Sequence, residues 1–259
     1  MAVATPGLKL LCREPFTQDR DAFDHPAAAR FDEQDAMVIF DDVFVPWERV
    51  FVAQAPAVTS QLLRGQAMAW AGFSADLVLL EKMELLIGVC HLLAQSGGID
   101  TQPFVVEEMG ELITYKEMMR TAVRVEQLEG QLTPSGYFSP KRAPFLRSFV
   151  TSTAERLASL IEHIGTSSLI MTPTAADMQV PELRPFIERY FRGKNTSAEE
   201  RIKLSKLAWD LSCDAFGGRQ TLYERLHSGD PHGLMALTYR TYDLTHAVDQ
   251  VQRLLSLED

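Results

Sequence analysis

Two hydrophobic periodicities divide this chain of 259 residues. Up to Val45 the apolar positions fall in short dense runs. Leu8-Lys9-Leu10-Leu11-Cys12 follows a Pro-Gly turn, and Ala36 to Val45 is rich in Val, Ile and Phe and is closed by Pro46. Runs of this length and composition predict strands, and the proline stops the second one. The polar segment Thr17 to Phe31, which carries Pro26, reads as the loop between them.

After Pro56 the apolar positions recur every three to four residues, as helices require. Residues 60–95 place Leu62, Met68, Phe73, Leu77, Leu80, Leu85 and Leu92 as a long buried helix would, ended by Gly97-Gly98. A second helix is predicted over Thr101–Leu128, with Pro103 at its start and Glu107 and Glu108 near its positive end. Gly130 to Pro144 reads as a loop. Lys141–Ile164 forms a third helix with Pro144 in its opening turn, and Gly165 to Pro181 is irregular. A short helix over Glu182–Phe191 follows. Thr196-Ser197-Ala198-Glu199-Glu200 looks like an N-cap with acids in the first turn, opening a fourth long helix through about Phe216. Beyond Gly217-Gly218 come Arg219–Leu226, the Gly229-Asp230-Pro231 break and a final helix over Leu234–Leu257. The pattern predicts a mainly α chain, with a β segment over 1–52 and a helical bundle over 53–259. Two or three strands do not hold a sheet by themselves, so the β segment must pack on the helices or on something outside the chain.

Composition narrows the function. The chain is 46% hydrophobic, enough for a real core, and its formal net charge is -10. Nucleic acid is excluded as a partner, since phosphate binding needs clustered Lys and Arg, and an anionic membrane surface is disfavoured. No run of about 18 apolar residues is present, so no membrane span is expected. The first residues lack the basic and apolar regions of a signal peptide. Cys12, Cys90 and Cys213 are odd in number and far apart, which fits neither a disulfide framework nor a metal pair. Cys90 and Cys213 fall within apolar helical patterns and read as buried free thiols in a reducing, cytoplasmic setting.

Chemistry is sparsely signalled. His25, His91, His163, His227, His232 and His246 form no metal-binding spacing and read as structural or solvated. The acids Asp32, Glu33, Asp35, Asp41 and Asp42 flank a strand but match no cation loop, and read as a solvated edge. Two glycine breaks are the candidate binding elements. In Phe216-Gly217-Gly218-Arg219-Gln220 the glycines allow close backbone approach and the arginine suits a phosphate. In Ser228-Gly229-Asp230-Pro231-His232 a proline opens the last helix and leaves its N–H groups facing outward. Both could contact a pyrophosphate through Gly217, Gly218, Arg219, Gln220, Gly229, Asp230, Pro231 and His232. Both also read as the C-cap and N-cap of ordinary helices.

The order of several motifs is more specific than any one of them. Thr5-Pro6-Gly7-Leu8-Lys9, Cys12-Arg13-Glu14, Arg30-Phe31-Asp32-Glu33 and Phe40-Asp41-Asp42-Val43-Phe44-Val45-Pro46-Trp47-Glu48-Arg49-Val50 come first. Leu169-Ile170-Met171-Thr172-Pro173-Thr174, Pro181-Glu182-Leu183-Arg184-Pro185, Phe216-Gly217-Gly218-Arg219-Gln220 and Gly229-Asp230-Pro231 follow. Together they resemble the 4-hydroxyphenylacetate 3-hydroxylase family, the oxygenase components of two-component, reduced-flavin monooxygenases. The resemblance implies an acyl-CoA-dehydrogenase-like C-terminal helical bundle behind the end of a truncated middle β domain, with the family's N-terminal half absent. It implies FAD, supplied reduced by a partner reductase, ortho hydroxylation of a phenolic substrate, and a homotetramer. It carries the flavin site onto Gly229-Asp230-Pro231-His232, with Gly217-Gly218-Arg219-Gln220 a second candidate across a subunit interface. It gives no catalytic residue, because the groups that hold the phenol lie in the absent half. In the family's iron–sulfur dehydratases the cluster ligands align near Ala71 and Val78, which cannot bind iron. A non-catalytic helical oligomer, or a flavin-dependent acyl-CoA dehydratase or dehydrogenase relative, are the alternative readings.

Overall fold

The fold is described from a computed structural model, over residues 2–16, 20–62, 67–142, 144–227 and 229–256. The chain opens with an antiparallel ribbon of β1 (Leu8–Cys12) and β2 (Ala36–Phe40), in register from Leu8 opposite Phe40 to Cys12 opposite Ala36. The expected run to Val45 stops at Phe40 because its partner ends. Asp41 N–H bonds to Gly7 O, Gly7 has a positive φ of 81°, and Asp42 turns away with φ 49°. Between the strands lies α1 (Ala28–Phe31), where the sequence predicts only loop; part of that loop, residues 17–19, lies outside the described residues.

The helices that follow are α2 (Pro56–Leu62), α3 (Met68–Gly97) and α4 (Pro103–Glu129). A small hairpin of β3 (Gln131–Leu132) and β4 (Phe138–Ser139) leads to α5 (Pro144–Gly165). Then come α6 (Arg184–Tyr190), α7 (Ala198–Ser212), α8 (Ala215–Leu226), α9 (Pro231–Thr241) and α10 (Thr245–Leu255). Residues 63–66, within the predicted 60–95 helix, and Leu257, the predicted end of the last helix, lie outside the described residues. The predicted final helix is two, divided at Tyr242, where the backbone is extended and Asp243 accepts from Thr245 N–H at 3.0 Å.

Helix α5 is the centre of the bundle, packing on α3, α4, α7, α8 and α9. Its buried face runs Leu146, Val150, Leu157, Leu160, Ile161 and Ile164. Helix α4 presents Val105, Leu112, Met119 and Glu126, one every seventh residue, as a seam against a neighbouring helix requires. Helix α3 buries Phe73, Leu79, Met83, Leu86, Cys90 and Leu93. Of the residues expected on its buried face Phe73 is buried and Leu80 packs on the core, whereas Leu77, Leu85 and Leu92 are exposed, the inward positions being their neighbours Asp76, Leu86 and Leu93. Helix α3 stops where predicted: Gly98 adopts φ 69° and its N–H returns to Gln95 O at 3.0 Å. Helix α7 opens on the predicted cap, with Ser197 and Glu200 satisfying each other's backbone N–H groups.

The thiols divide. Cys90 is fully buried, and burial pushes it up to about 12, which makes it inert. Cys213, expected inside, is exposed because α7 ends at Ser212 and the cysteine is its C-cap.

Helices α4 and α5 are also joined by charge. Arg156 donates to both oxygens of Glu111, at 2.8 and 2.6 Å, and the Tyr115 hydroxyl donates to the same carboxylate at 2.7 Å. Arg156 first, and then Tyr115, hold the Glu111 carboxyl down to about 2 from an ordinary 4.5. A depressed carboxyl pKa stabilises the fold fully above its unfolded value, and that contribution fades as pH falls from about 4.5 through about 2. Solvent screening limits it to about 1 kcal/mol. Glu111→Gln is therefore expected to cost more stability at pH 7 than at pH 3 in denaturant titrations. An equal cost at both pH values would show that the charge is not what matters.

Candidate functional site

The first candidate element does not lie between helices. Gly217, Gly218, Arg219 and Gln220 are inside the opening turns of α8, which begins at Ala215. Gly217 is buried, and a Cβ there would stand 2.6 Å from Asp210 O and 2.7 Å from the carbonyl carbon of Leu211. The last turn of α7 thus crosses at backbone contact, and glycine is required for packing. Gly218 is exposed, with open space where a side chain would stand.

Arg219 is already engaged. Its guanidinium donates to Asp35 at 2.8 and 2.7 Å and to Glu33 at 3.1 Å. Asp35 is shared with Arg13 at 2.9 Å, and Arg13 also holds Asp32 at 2.5 Å. Hydrogen bonds from Arg219 and then Arg13 hold the Asp35 carboxyl well below the usual range. The acids expected to be a solvated edge are therefore partly a clasp: Glu33 and Asp35 tie the base of the ribbon to α8, Asp32 holds Arg13 and the Phe16 N–H, and Asp41 pairs with Lys9 on the ribbon itself.

The second candidate element opens α9. Gly229 has φ 121°, a conformation other residues rarely adopt. Asp230 is the N-cap and accepts from Gly233 N–H at 2.6 Å, while Leu234 N–H bonds to Asp230 O at 2.9 Å. Pro231 has no N–H to offer. Among the described residues this leaves the N–H of the exposed His232 as the open donor of the first turn. A Cβ on Gly229 would lie 3.6 Å from Arg147 Nη2, so the loop approaches a guanidinium on α5. Ser228 lies outside the described residues. The two elements do not converge on one point: the rest of α8, about 14 Å of helix axis, separates Gly217 from Gly229. A single phosphate does not bridge that distance.

One cluster gave no sequence signal. His25, Asp210 and Asp214 bring ligand-type atoms within 4.8 Å of one another. Asp210 is fully buried; its Oδ2 accepts from Ala27 N–H and Ala28 N–H, both at 2.9 Å, and its Oδ1 faces His25 Nδ1 at 3.2 Å. Arg20 pairs with Asp214 and lies 3.1 Å from His25 Nδ1, so a guanidinium occupies the place a metal would take. The chemistry is that of a structural ion-pair network that docks residues 20–31 on α7. The partners that join this segment to Asp210 and Asp214 stand 182 to 194 residues apart, which no local motif reveals.

The bundle with its leading ribbon defines a fold class. A solved 4-hydroxybutyryl-CoA dehydratase from N. maritimus superposes with a TM-score of 0.86 over 99% of this chain and 52% of its own, at 19% identity, a likeness of fold alone within the acyl-CoA-dehydrogenase-like class. The particular family follows from sequence as well: the chain belongs to the 4-hydroxyphenylacetate 3-hydroxylase family, matching its C-terminal part over residues 61–256 and its N-terminal part over residues 1–52. It is 35% identical to the 4-hydroxyphenylacetate 3-monooxygenase oxygenase component of Thermus thermophilus, over 94% of this chain and 51% of that protein. It is 37% identical to the protein of the same name from Geobacillus sp., over 88% of this chain and 47% of that protein. A crystal structure of such an oxygenase component, complexed with FAD and 4-hydroxyphenylacetate, superposes with a TM-score of 0.92 at 33% identity, over all of this chain and 55% of its own. The chain spans about half the length of these relatives. Among the described residues no helix is long and apolar enough to cross a membrane.

Proposed function

We propose that this chain is the C-terminal portion of a reduced-flavin-dependent phenol hydroxylase of the 4-hydroxyphenylacetate 3-monooxygenase type. Its part is FAD binding and oligomerisation, and the complete site also needs the portion of the family's sequence that this chain does not span. The observation that carries this reading is the half-length match to oxygenase components, joined to an apolar ribbon that is exposed among the described residues. Leu11, Met37 and Phe40 on the strands, and Phe44, Trp47 and Phe51 after them, are exposed in a way that asks for a covering partner.

The α9 opening supports FAD as the cofactor. Gly229 lets a phosphate approach the backbone, the His232 N–H is directed outward at a positive helix end, and Arg147 adds positive charge to that corner. Asp230 keeps its carboxylate on Gly233 and serves to hold the turn. On α8, Gly218 and Gln220 offer a second contact, with Arg219 retaining its acids. When bound, the reduced flavin supplied by a partner reductase provides the oxygen activation that hydroxylates a phenol ortho to its hydroxyl. The protein's task is to orient that flavin and, with the other half in place, to exclude water.

The purified chain given reduced FAD and 4-hydroxyphenylacetate is expected to yield no hydroxylated product. Co-expression with a segment carrying the family's first half is expected to restore FAD-dependent hydroxylation. Turnover by the chain alone, or none with both halves present, overturns the proposal. A stable oligomer that ignores FAD in a titration would favour a helical assembly without chemistry.

A further inference from the structure

One polar pocket stands apart from both glycine elements. It has a volume of about 210 Å³ and lies between the turn that follows α5, the end of α6 and the first two turns of α7. Arg201 and Ser205 are four residues apart on α7 and so line it from one face of that helix. Thr166, Ser167 and Thr172 line it from the turn, and Tyr190 from α6. Gly217 crosses the last turn of α7, about 14 Å further along the helix axis than Arg201.

The fold leaves the polar groups of this pocket unused. Ser205 is 1% exposed, yet its hydroxyl makes no hydrogen bond among the described residues. Ser212, on the same helix, returns its hydroxyl to Ala208 O at 2.8 Å; Ser205 makes no such return. Arg201 is half-buried and no acid pairs with it among the described residues. It donates to Arg192 O at 3.4 Å, which is long for a hydrogen bond. The hydroxyls of Thr166, Ser167 and Thr172 are likewise without a partner among the described residues, whereas Ser168 beside them donates to Gly165 O. Among the described residues no carboxylate lines the pocket. A buried hydroxyl and a half-buried guanidinium are costly to leave unpaired. An acid-free pocket built around them, in a chain of net charge -10, suits an anion.

We propose that this pocket binds a phosphoryl group, as free phosphate or as the monoester of a small molecule. The arrangement of donors selects it. Hydroxyls and a guanidinium reach in from three segments of the chain, and a tetrahedral dianion presents oxygens in several directions, whereas a carboxylate presents two in one plane. Arg201 supplies the charge-assisted bond and Ser205 the most buried donor. The volume is below the roughly 300–1,000 Å³ of pockets that enclose drug-sized ligands, so the site takes the phosphoryl group and little more. It is separate from the α9 opening and does not rest on the flavin reading.

The test is calorimetric titration of the full chain, without flavin, with inorganic phosphate, phenyl phosphate and glycerol as a neutral polyol. The phosphates are expected to bind and glycerol not. Equal affinity for the two phosphates identifies free phosphate as the ligand, and clearly tighter phenyl phosphate identifies an ester; either supports the proposal. Arg201→Met keeps most of the stem and is expected to weaken binding about 30-fold, the loss of a charge-assisted hydrogen bond. Ser205→Ala is expected to weaken it about 5-fold. Because that hydroxyl has no partner in the free protein, the same variant is expected to keep or raise the thermal midpoint, so its effect on binding is not one of folding. No binding of either phosphate up to about 10 mM overturns the proposal. Affinity that survives either substitution in a folded protein also overturns it, because the anion then sits elsewhere, and so does glycerol bound as tightly as phosphate.

Discussion

Replacing Asp210 by alanine is expected to cost roughly 3–5 kcal/mol of stability and to lower the thermal midpoint by about 10 °C. Helix α1 has no cap of its own: the residue before it is Ala27, whose side chain can accept nothing. Asp210 supplies that cap from α7, taking both Ala27 N–H and Ala28 N–H on one buried oxygen. Truncation leaves two buried donors without partners, each costing about 1–3 kcal/mol. It also removes the negative charge that His25 faces, and loosens residues 20–31 from the bundle. Asp210→Asn keeps an acceptor oxygen and is expected to lose clearly less. The same loosening predicts faster proteolysis between Arg20 and Arg30 in the alanine variant. An alanine variant within about 1 kcal/mol of wild type in denaturant titrations would show that α1 is held by other contacts.

These contacts also mark where the sequence was readable. The long helices, the Gly98 stop and the Ser197–Glu200 capping box were legible because each depends on residues within one turn of one another. The Thr17–Phe31 segment read as a loop because α1 is four residues long and takes its cap from a distance no local pattern spans. The α3 stripe was only partly placed because Leu77-Val78-Leu79-Leu80 and Leu85-Leu86-Ile87 put apolar residues on several faces, so periodicity has no preferred phase. Gly217-Gly218 looked like a break because glycine is needed equally for a turn and for a helix crossing, and only the position of α7 decides between them. The split at Tyr242 did carry a signal, Asp243 two residues before Thr245, whose carboxylate takes that N–H in an Asx turn. The candidate site was legible chiefly as an ordered set of motifs. Its geometry, with Arg219 engaged by the ribbon and Asp230 by its own helix, was not.

Removing the Arg142 side chain is the second large effect expected, again about 3–5 kcal/mol as Arg142→Ala. Arg142 donates through Nε and Nη2 to the two oxygens of Asp76, both at 2.6 Å, and Asp76 on α3 is fully buried. The guanidinium is itself largely covered, and its stem lies across Gly72, where a Cβ would fall 2.5 Å from Arg142 Cδ. The same stretch is anchored by Trp70, whose indole N–H donates to Phe138 O at 3.0 Å. The contact therefore combines charge and shape, and the two can be separated. Arg142→Lys keeps the charge but loses the two-pronged geometry, so a partial loss is expected. Asp76→Asn combined with Arg142→Met removes both charges and keeps the stem volume. If the cost of Arg142→Ala lies in a buried carboxylate left without its counter-charge, this double variant regains much of the stability, because apolar replacement of a whole buried pair is often near neutral. If it is as unstable as Arg142→Ala in urea titrations, the loss belongs instead to the packing of the β3–β4 hairpin on the start of α3.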